Sequence, residues 1–285
     1  MSLATSSLPT YALGGDLKVA RIGYGTMQLT GPGYFGYPAD PDNAIAVLRR
    51  AVELGVTLID TADGYGPYVT DEFIRKALSP YPENLVIATK VGISRPRPGE
   101  WLPIGRPEYL RQQTELNLRH LGLERIDLLQ LHRVDPAVPL EDQVGALSEL
   151  QSEGKVRHIG MSEVTVDELK AAQAVATIVS VQNMFNLSDR SAAPVVDYAE
   201  AQGIAFIPWF PLAGTGLPDP EGEVAEIALK HDASISQLAL AWLLRRSPVI
   251  LPIPGTASVD HLAENIAAAQ IVLSDEDFQV LDALA

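Results

Sequence analysis

The sequence contains no cysteine among its 285 residues. This absence excludes disulfides, thiolate metal sites and cysteine nucleophiles. It is compatible with a reducing cytoplasm, which is where we expect the protein to act. The first ten residues, MSLATSSLPT, have neither a basic stretch nor an apolar core, so no signal peptide is predicted.

Basic residues are scarce, with 21 Lys and Arg against 36 Asp and Glu, and the formal net charge is −15. Such a surface repels phosphate backbones and anionic lipid, so we expect neither nucleic acid nor membrane as a partner. The two basic doublets, at 49–50 and 245–246, lie in helical patterns and are interpreted as solvated helix faces. No apolar run approaches the roughly 18 residues that a membrane span needs. A soluble protein is predicted.

The sequence is rich in short β-branched runs that alternate with longer amphipathic segments. Each run is apolar on both faces, as expected of a parallel strand that is buried beneath helices. An α/β barrel of roughly 250 residues is commonly one domain. We therefore predict a single (β/α)8 TIM barrel domain over residues 1–285. The eight runs are 19–24, 56–59, 85–88, 126–131, 156–159, 178–181, 204–207 and 249–251.

The segments between the runs carry helix start and stop signals. Thr165 or Asp167 is predicted to cap one helix, and Ser191 another that ends before Gly203. Outside the repeat, residues 10–20 predict an N-terminal β-hairpin that plugs the bottom of the barrel. Residues 274–285 predict an extra C-terminal helix. The other predicted helices are 42–54, 107–121, 140–151 and 166–175.

Residues 31–36, GPGYFG, match the G-x-G-x-x-G pattern of dinucleotide-binding folds. That pattern binds a pyrophosphate only where it joins a strand directly to a helix. Pro38 and Pro41 follow here, and they delay any helix. We interpret the segment as a glycine-rich loop after the first barrel strand.

Polar side chains follow consecutive strands of the predicted barrel. Asp60 ends the second strand, Lys90 the third and His132 the fourth, and Tyr65 lies on the loop after Asp60. Active sites of such barrels form at the carboxyl ends of the strands. Taken one at a time, these residues have simpler structural interpretations: a loop cap, an ion-pair partner or a histidine at the rim of the barrel. Four together at adjoining strand ends favour a functional site.

The chemistry expected of this group is proton donation to an oxygen. A tyrosine is a poor acid at neutral pH, and we expect the Lys90 ammonium to lower the pKa of Tyr65 toward the working range. Asp60 would fix Lys90, and His132 would hydrogen-bond a substrate carbonyl or relay a proton to Tyr65. The group includes no nucleophile and no metal cage, so the electrons must come from a cofactor.

The four residues, with their spacing inside IDTADGYG, resemble the catalytic tetrad of the aldo-keto reductases. The resemblance covers nearly the whole chain. It implies the barrel fold and NAD(P)H-dependent reduction of an aldehyde or ketone to an alcohol, with Tyr65 as proton donor. Further matching segments are Gly160-Met161-Ser162, Gln182, Trp209-Phe210-Pro211-Leu212, Ile253-Pro254-Gly255-Thr256 and His261-Leu262-Ala263-Glu264-Asn265.

The same resemblance implies a cofactor site. Ser162 and Gln182 would hydrogen-bond the nicotinamide carboxamide, and Trp209 would stack on its ring. The loop after the seventh strand would lie along the pyrophosphate, and the segment after the eighth would hold the adenosine. The residues implied in these two segments are Phe210, Pro211, Leu212, Gly255, Thr256, His261, Glu264 and Asn265.

Two departures from the family bear on the cofactor. Glu163 stands where members commonly have asparagine. A carboxylate can accept a hydrogen bond from the carboxamide NH2 but cannot donate one to the carboxamide oxygen. Glu163 stays a cofactor-site candidate. Many members also place Lys or Arg around the 2′-phosphate of NADPH, whereas residues 255–261 contain only His261. NADP(H) is therefore implied by the family, with NAD(H) as the alternative.

The segment 23–33 is similar to bacterial pyridoxal reductases, which implies pyridoxal or another aromatic aldehyde as substrate. Expected pocket walls are Met27, Tyr34, Phe35, Trp101 and Phe210. The same tetrad would serve an alcohol or sugar dehydrogenase working oxidatively. A cofactor-sensing binding module of the same fold is a further alternative. We expect a small-molecule carbonyl partner and a monomer or weak homo-oligomer.

Overall fold

The computed structural model describes residues 8–213 and 222–284. Strands and helices alternate over most of this range. The strands are β1 (Thr10–Leu13), β2 (Leu17–Ala20), β3 (Tyr24–Gly25), β4 (Leu58–Asp60), β5 (Val86–Val91), β6 (Ile93–Ser94), β7 (Leu102–Pro103), β8 (Ile126–Leu131), β9 (Val156–Ser162), β10 (Ile178–Gln182) and β11 (Ala205–Phe206). The helices are α1 (Pro41–Glu53), α2 (Val69–Leu78), α3 (Pro107–Leu121), α4 (Leu140–Ser152), α5 (Val166–Gln173), α6 (Ala193–Gln202), α7 (Gly222–Lys230), α8 (Ile235–Arg246), α9 (Val259–Ala267) and α10 (Asp275–Asp282).

A parallel sheet curls into the predicted (β/α)8 barrel. Seven strands pair in the order β3-β4-β5-β8-β9-β10-β11. Residues 249–252 supply the eighth position, because Leu251 N donates to Phe206 O at 2.8 Å and Gly23 N donates to Pro252 O at 2.9 Å. The last segment thus bonds to β11 on one side and to the residue before β3 on the other, which closes the barrel.

Burial explains why the strand runs are apolar throughout. All six residues of β5 are buried, and five of the six of β8 are buried. One apolar cluster lies between the strands and the surrounding helices, and a second fills the barrel interior. A parallel strand that is covered on both faces has no exposed face on which polar residues could alternate with apolar ones. The polar groups of these strands therefore concentrate at their carboxyl ends.

The N-terminal hairpin forms as predicted, with β1 antiparallel to β2. Leu13, Leu17 and Val19 pack in the interior cluster against barrel residues, so the hairpin plugs one end of the barrel. The predicted first barrel strand, 19–24, is wrong in its first half. Residues 19 and 20 belong to the hairpin, and the barrel strand begins only at Tyr24.

Capping side chains set several helix starts. Thr165 caps α5 in a capping box with Glu168, so the choice between Thr165 and Asp167 falls to Thr165. Ser191 does not cap α6, because its hydroxyl donates to Asp189 Oδ1 and the N-cap position is Ala192. The predicted helix 107–121 has its bounds as α3, and the others are correct within about two residues.

The C-terminal helix is α10, which begins after a Ser274 capping box. It ends at Asp282, and residue 285 of the predicted helix lies outside the described residues. Residues 1–7, on which the expectation of no signal peptide partly falls, also lie outside them. Among the helices that are described, none is long and apolar enough to cross a membrane.

Candidate active site

A buried ion pair joins the ends of two neighbouring barrel strands. Lys90 Nζ donates to Asp60 Oδ1 at 2.5 Å, to Thr61 O at 2.9 Å and to Tyr65 OH at 3.3 Å. The parallel pairing of β4 and β5 sets Asp60 opposite Ala88, and Lys90 lies two residues further along β5 on the same face. Both side chains are almost fully excluded from solvent. The structure thus places three of the predicted residues in direct contact.

Burial and the Lys90 charge act on Tyr65 in opposite directions. Burial raises the pKa of Tyr65, and the Lys90 ammonium offsets this only in part, so the pKa lies above its ordinary value. The expectation of a lowered pKa is wrong for this state of the protein, because it left out the removal of the phenol from water. Burial alone would lower the pKa of Lys90, but Asp60 and Tyr65 together raise it, so the ammonium persists.

His132 lies beside Tyr65, with ring centroids 6.1 Å apart and the planes nearly perpendicular. Burial, aided by the positive charges of Lys90 and Arg133, lowers the pKa of His132 well below its usual range. The imidazole is therefore neutral at neutral pH. A neutral ring keeps one N–H donor, which suits hydrogen bonding to a carbonyl oxygen better than delivery of a proton.

The second oxygen of Asp60 is held by two glutamines at the ends of β8 and β10. Gln182 Nε2 donates to Asp60 Oδ2 at 2.9 Å, and Gln130 Nε2 donates to the same atom at 3.3 Å. Sequence reasoning missed Gln130, although a buried amide in the apolar run 126–131 is itself a signal. Gln182 therefore braces the ion pair through its amide nitrogen, which leaves its carbonyl Oε1 as an acceptor.

These residues open into a cleft of about 490 Å³. Four of the five expected pocket walls line it, namely Met27, Tyr34, Trp101 and Phe210. Phe35 does not line the cleft; its ring lies 5.8 Å from the Arg95 guanidinium. The predicted cofactor residues that line the cleft are Ser162, Gln182, Trp209, Phe210, Pro211, Leu212 and Gly255.

The remaining cofactor candidates are not brought to the cleft wall. Thr256 uses its carbonyl to accept from Tyr24 OH and its hydroxyl to accept from Ser258 N. His261 and Glu264 are exposed on α9, whereas Asn265 is buried there. This helix adjoins the end of the cleft at Gly255, where the adenosine end of the cofactor is expected.

Glu163 turns away from the cleft. Its Oε1 accepts from Trp209 Nε1 at 2.5 Å and from Met184 N at 2.8 Å. The residue adopts a left-handed backbone with φ of 55°, which directs the side chain across to the loop after β10. The carboxylate therefore fixes the indole of Trp209 and is not free for the carboxamide of a nicotinamide.

The groups along the cleft fit a nicotinamide cofactor. The Trp209 ring is anchored through its N–H, which leaves its face for a planar heterocycle. The Ser162 hydroxyl and the Gln182 carbonyl lie on the adjoining strand ends, where they match the donor and acceptor groups of a carboxamide. The walls of the cleft are mostly apolar, which suits an aromatic ring.

Comparisons with known proteins agree with this geometry. A model of the Aldo/keto reductase family matches residues 21–285. An uncharacterized oxidoreductase of Schizosaccharomyces pombe is 50% identical over 268 residues, covering 94% of this chain and 87% of the relative. Pyridoxine 4-dehydrogenase of Escherichia coli is 45% identical over 282 residues, covering 97% and 98%. The crystal structure of an aldo-keto reductase from Klebsiella pneumoniae in complex with NADPH superposes with a TM-score of 0.84 at 27% identity, covering 98% and 95%.

Proposed function

The chain belongs to the aldo/keto reductase family, and from that premise we propose that it interconverts pyridoxal and pyridoxine. It is an NADP(H)-dependent oxidoreductase that reduces a carbonyl group to an alcohol. The substrate proposal is supported by the relative that is named pyridoxine 4-dehydrogenase and by the aromatic walls of the cleft. Pyridoxal is a planar aromatic aldehyde of a size that such a cleft accommodates.

One observation carries the catalytic assignment. The Tyr65 hydroxyl lies 3.3 Å from a buried ammonium at the floor of an aromatic-lined cleft, with a neutral imidazole beside it. We propose that Tyr65 protonates the carbonyl oxygen while His132 donates a hydrogen bond to the same oxygen. A phenol that loses its proton here becomes an anion, which the Lys90 charge stabilises as it forms.

Asp60 and its partners keep Lys90 in place for this step. The ammonium is held by one carboxylate oxygen, one backbone carbonyl and the phenol. Gln130 and Gln182 occupy the other oxygen of Asp60, so the carboxylate cannot turn toward Tyr65. In this assignment Asp60 is a positioning residue, and it does not touch the reacting oxygen.

NADP(H), when bound, supplies or accepts the hydride. We propose that Ser162 and Gln182 bind its carboxamide and that Trp209 supports its ring, because these groups converge on the cleft next to Tyr65. Phe210, Pro211 and Leu212 would cover the next stretch of the cofactor. Gly255, Thr256 and the start of α9 would hold the adenosine end.

The test is turnover by the purified chain of pyridoxal, plain benzaldehydes and simple sugars, with NADPH and NADH run in parallel. We expect the highest kcat/KM for pyridoxal with NADPH, and oxidation of pyridoxine with NADP⁺. The Tyr65→Phe variant should lose about 10²- to 10⁴-fold in kcat, the usual worth of a positioned acid, while its NADPH Kd changes little.

Two results would contradict the proposal in separable ways. Turnover of sugars or other aldehydes with pyridoxal ignored would remove the substrate proposal and keep the family chemistry. Near-normal kcat in Tyr65→Phe would remove Tyr65 from the acid role. Tight NADPH binding without turnover of any compound would favour the cofactor-sensing alternative.

A further inference from the structure

Two arginines are associated with the cleft: Arg133 lines it, and Arg95 contacts its lining residues Tyr34 and Trp101. Arg95 donates to four backbone carbonyls, those of Gly33, Tyr34, Gly64 and Glu100, and uses all three of its side-chain nitrogens. It also stacks on Trp101 at 3.4 Å from the ring centroid. Arg95 therefore ties three loops together and has little donor capacity left for a ligand.

The second arginine, Arg133, is engaged through one nitrogen only. Its Nη1 donates to His132 O at 2.6 Å and to Ser162 Oγ at 3.2 Å. Within residues 8–213 and 222–284, Nε and Nη2 donate to no acceptor, and no carboxylate lies within 4.0 Å of the guanidinium. Arg133 is half-buried and lines the cleft, with its guanidinium 5.8 Å from the centre of the Trp209 ring.

The charge of Arg133 acts on the reacting groups themselves. Together with burial and Lys90 it lowers the pKa of His132, and it contributes to lowering that of Tyr65 against the effect of burial. Lys90 is already paired with Asp60, whereas Glu163, the carboxylate that acts electrostatically on Arg133, bonds to Trp209 and Met184 instead. In a chain of net charge −15, the cleft thus presents a cation with free donors beside the Tyr65–His132 pair.

We propose that Arg133 is a specificity-determining residue that binds an anionic oxygen of the substrate. This oxygen is attached to the ring atom adjacent to the ring carbon that carries the reacting carbonyl group. The substrate class is an aromatic aldehyde with an ionised hydroxyl ortho to the aldehyde, a description that pyridoxal meets. The inference rests on the proposed function in that the carbonyl must lie at Tyr65 and His132. A guanidinium binds such an oxygen through charge-assisted hydrogen bonds, which are shorter and stronger than neutral ones.

The test compares two aldehydes that differ only in the ortho oxygen. In 5-nitrosalicylaldehyde the nitro group keeps the ortho hydroxyl ionised at neutral pH, and 3-nitrobenzaldehyde is the same ring without that hydroxyl. Alcohol product is quantified by chromatography for wild type, Arg133→Met and Arg133→Lys. The measured quantity is the ratio of kcat/KM for the two aldehydes. Arg49→Met removes the same charge from the outer face of α1 and serves as the matched control.

We expect Arg133→Met to reduce this ratio by about 10- to 100-fold, mostly through KM, and Arg133→Lys to restore part of it. Arg49→Met should leave the ratio at its wild-type value. NADPH Kd and Tm are measured for each variant, so that loss of folding is separated from loss of discrimination.

The failure of this inference differs from failure of the proposed function. An unchanged ratio in folded Arg133→Met overturns the inference even if pyridoxal is the substrate. A weakened NADPH Kd with an unchanged ratio overturns it as well, and assigns Arg133 to the carboxamide beside Ser162. A reduced ratio in an enzyme that ignores pyridoxal supports the inference and removes only the proposed substrate.

Discussion

Burial, more than any single neighbour, sets the protonation states at the active site. Two further carboxyls lie behind the tetrad, Asp63 and Asp71, and both are buried. Burial raises the pKa of Asp71 to about 8 and that of Asp63 well above its usual range. With Asp71 mostly protonated at pH 7, Asp60 is the carboxylate that acts on the Lys90 ammonium. Its charge is then available to stabilise the anion that the proposed mechanism places on Tyr65.

These states predict different pH profiles for the two directions of the reaction. With Tyr65 as the proposed acid, reduction needs the protonated phenol, and because the pKa of Tyr65 is raised, kcat/KM should stay level between about pH 6 and pH 8 and fall only in strong alkali. Oxidation needs the phenolate, so kcat/KM for pyridoxine should rise about tenfold per pH unit below that pKa. Steady-state kinetics in both directions provide the measurement.

The neutral state of His132 provides a further test of the predicted pH profile for reduction. Because the pKa of His132 lies well below 6.5, its titration should not appear in the reduction profile. A step in reduction near pH 6.5 would mean that a charged imidazole takes part. Asp71→Asn is the control for any inflection near pH 8, since an amide imitates the protonated carboxyl and cannot titrate.

At the residue scale, sequence reasoning identified side chains at strand ends but not the directions in which they point. Asp60, Lys90 and His132 can be identified from the sequence because each follows a buried apolar run. The sequence makes Glu163 a cofactor-site candidate, whereas its positive φ turns the side chain toward Trp209, a feature that sequence position does not encode. Arg133 directly follows His132, and this adjacency was the available signal for it.

At the element scale, helices were easier to locate than short strands. A helix carries a long amphipathic repeat and local caps such as Thr165, so its evidence lies within a few residues. Strand β3 has only two residues, and β6 pairs with β7 in a small hairpin that carries Trp101 to the cleft. Such pairings depend on partners distant in sequence, and the apolar run 19–24 gave no sign of its division between hairpin and barrel.

The docking of α10 yields a prediction at this scale. Asp277 accepts from Lys230 Nζ at 2.9 Å and contacts His231 Nε2 at 2.9 Å, which ties α10 to the end of α7. Despite the opposing effect of burial, these partners hold its pKa below the ordinary value. Asp277→Asn keeps the shape and removes the charge, and it should lower the free energy of unfolding by about 1–3 kcal/mol at pH 7, measured by urea denaturation.

The pH dependence of this loss has a definite sign. A carboxyl with a depressed native pKa stabilises the fold above its unfolded pKa of about 3.9, and this contribution disappears as pH falls toward the native value. The difference between wild type and Asp277→Asn should therefore shrink below about pH 4. Asp275→Asn is the control: its side chain is 88% exposed on the same helix, and it should change stability by less than about 1 kcal/mol. Equal losses in the two variants would contradict the prediction.

At the scale of the whole molecule, the barrel closes through contacts between its two ends. Arg21 Nη2 donates to Leu244 O at 2.8 Å and to Ser247 O at 2.7 Å, more than 220 residues later in the chain. Gly23 N bonds to Pro252 O in the same seam. The repeat of strands and helices predicts a barrel, but it does not reveal that Arg21 bonds to the C-terminal end of α8, because no local pattern records so distant a partner.

Arg21→Met should therefore weaken the barrel as a whole. The substitution leaves the carbonyls of Leu244 and Ser247 without their charged donor at a half-buried seam, and such hydrogen bonds are worth about 1.5–3 kcal/mol. We expect a loss of that order in the free energy of unfolding, measured by urea denaturation. Far-UV circular dichroism and tryptophan fluorescence should still change together, since closure joins every strand to one cooperative unit. Arg49→Met, which removes an exposed arginine bonded to a single carbonyl, should lower the free energy of unfolding by less than about 1 kcal/mol. If Arg21→Met lowers it no more than this control does, the seam is held by the backbone bond of Gly23 and by apolar packing, and Arg21 contributes little to closure.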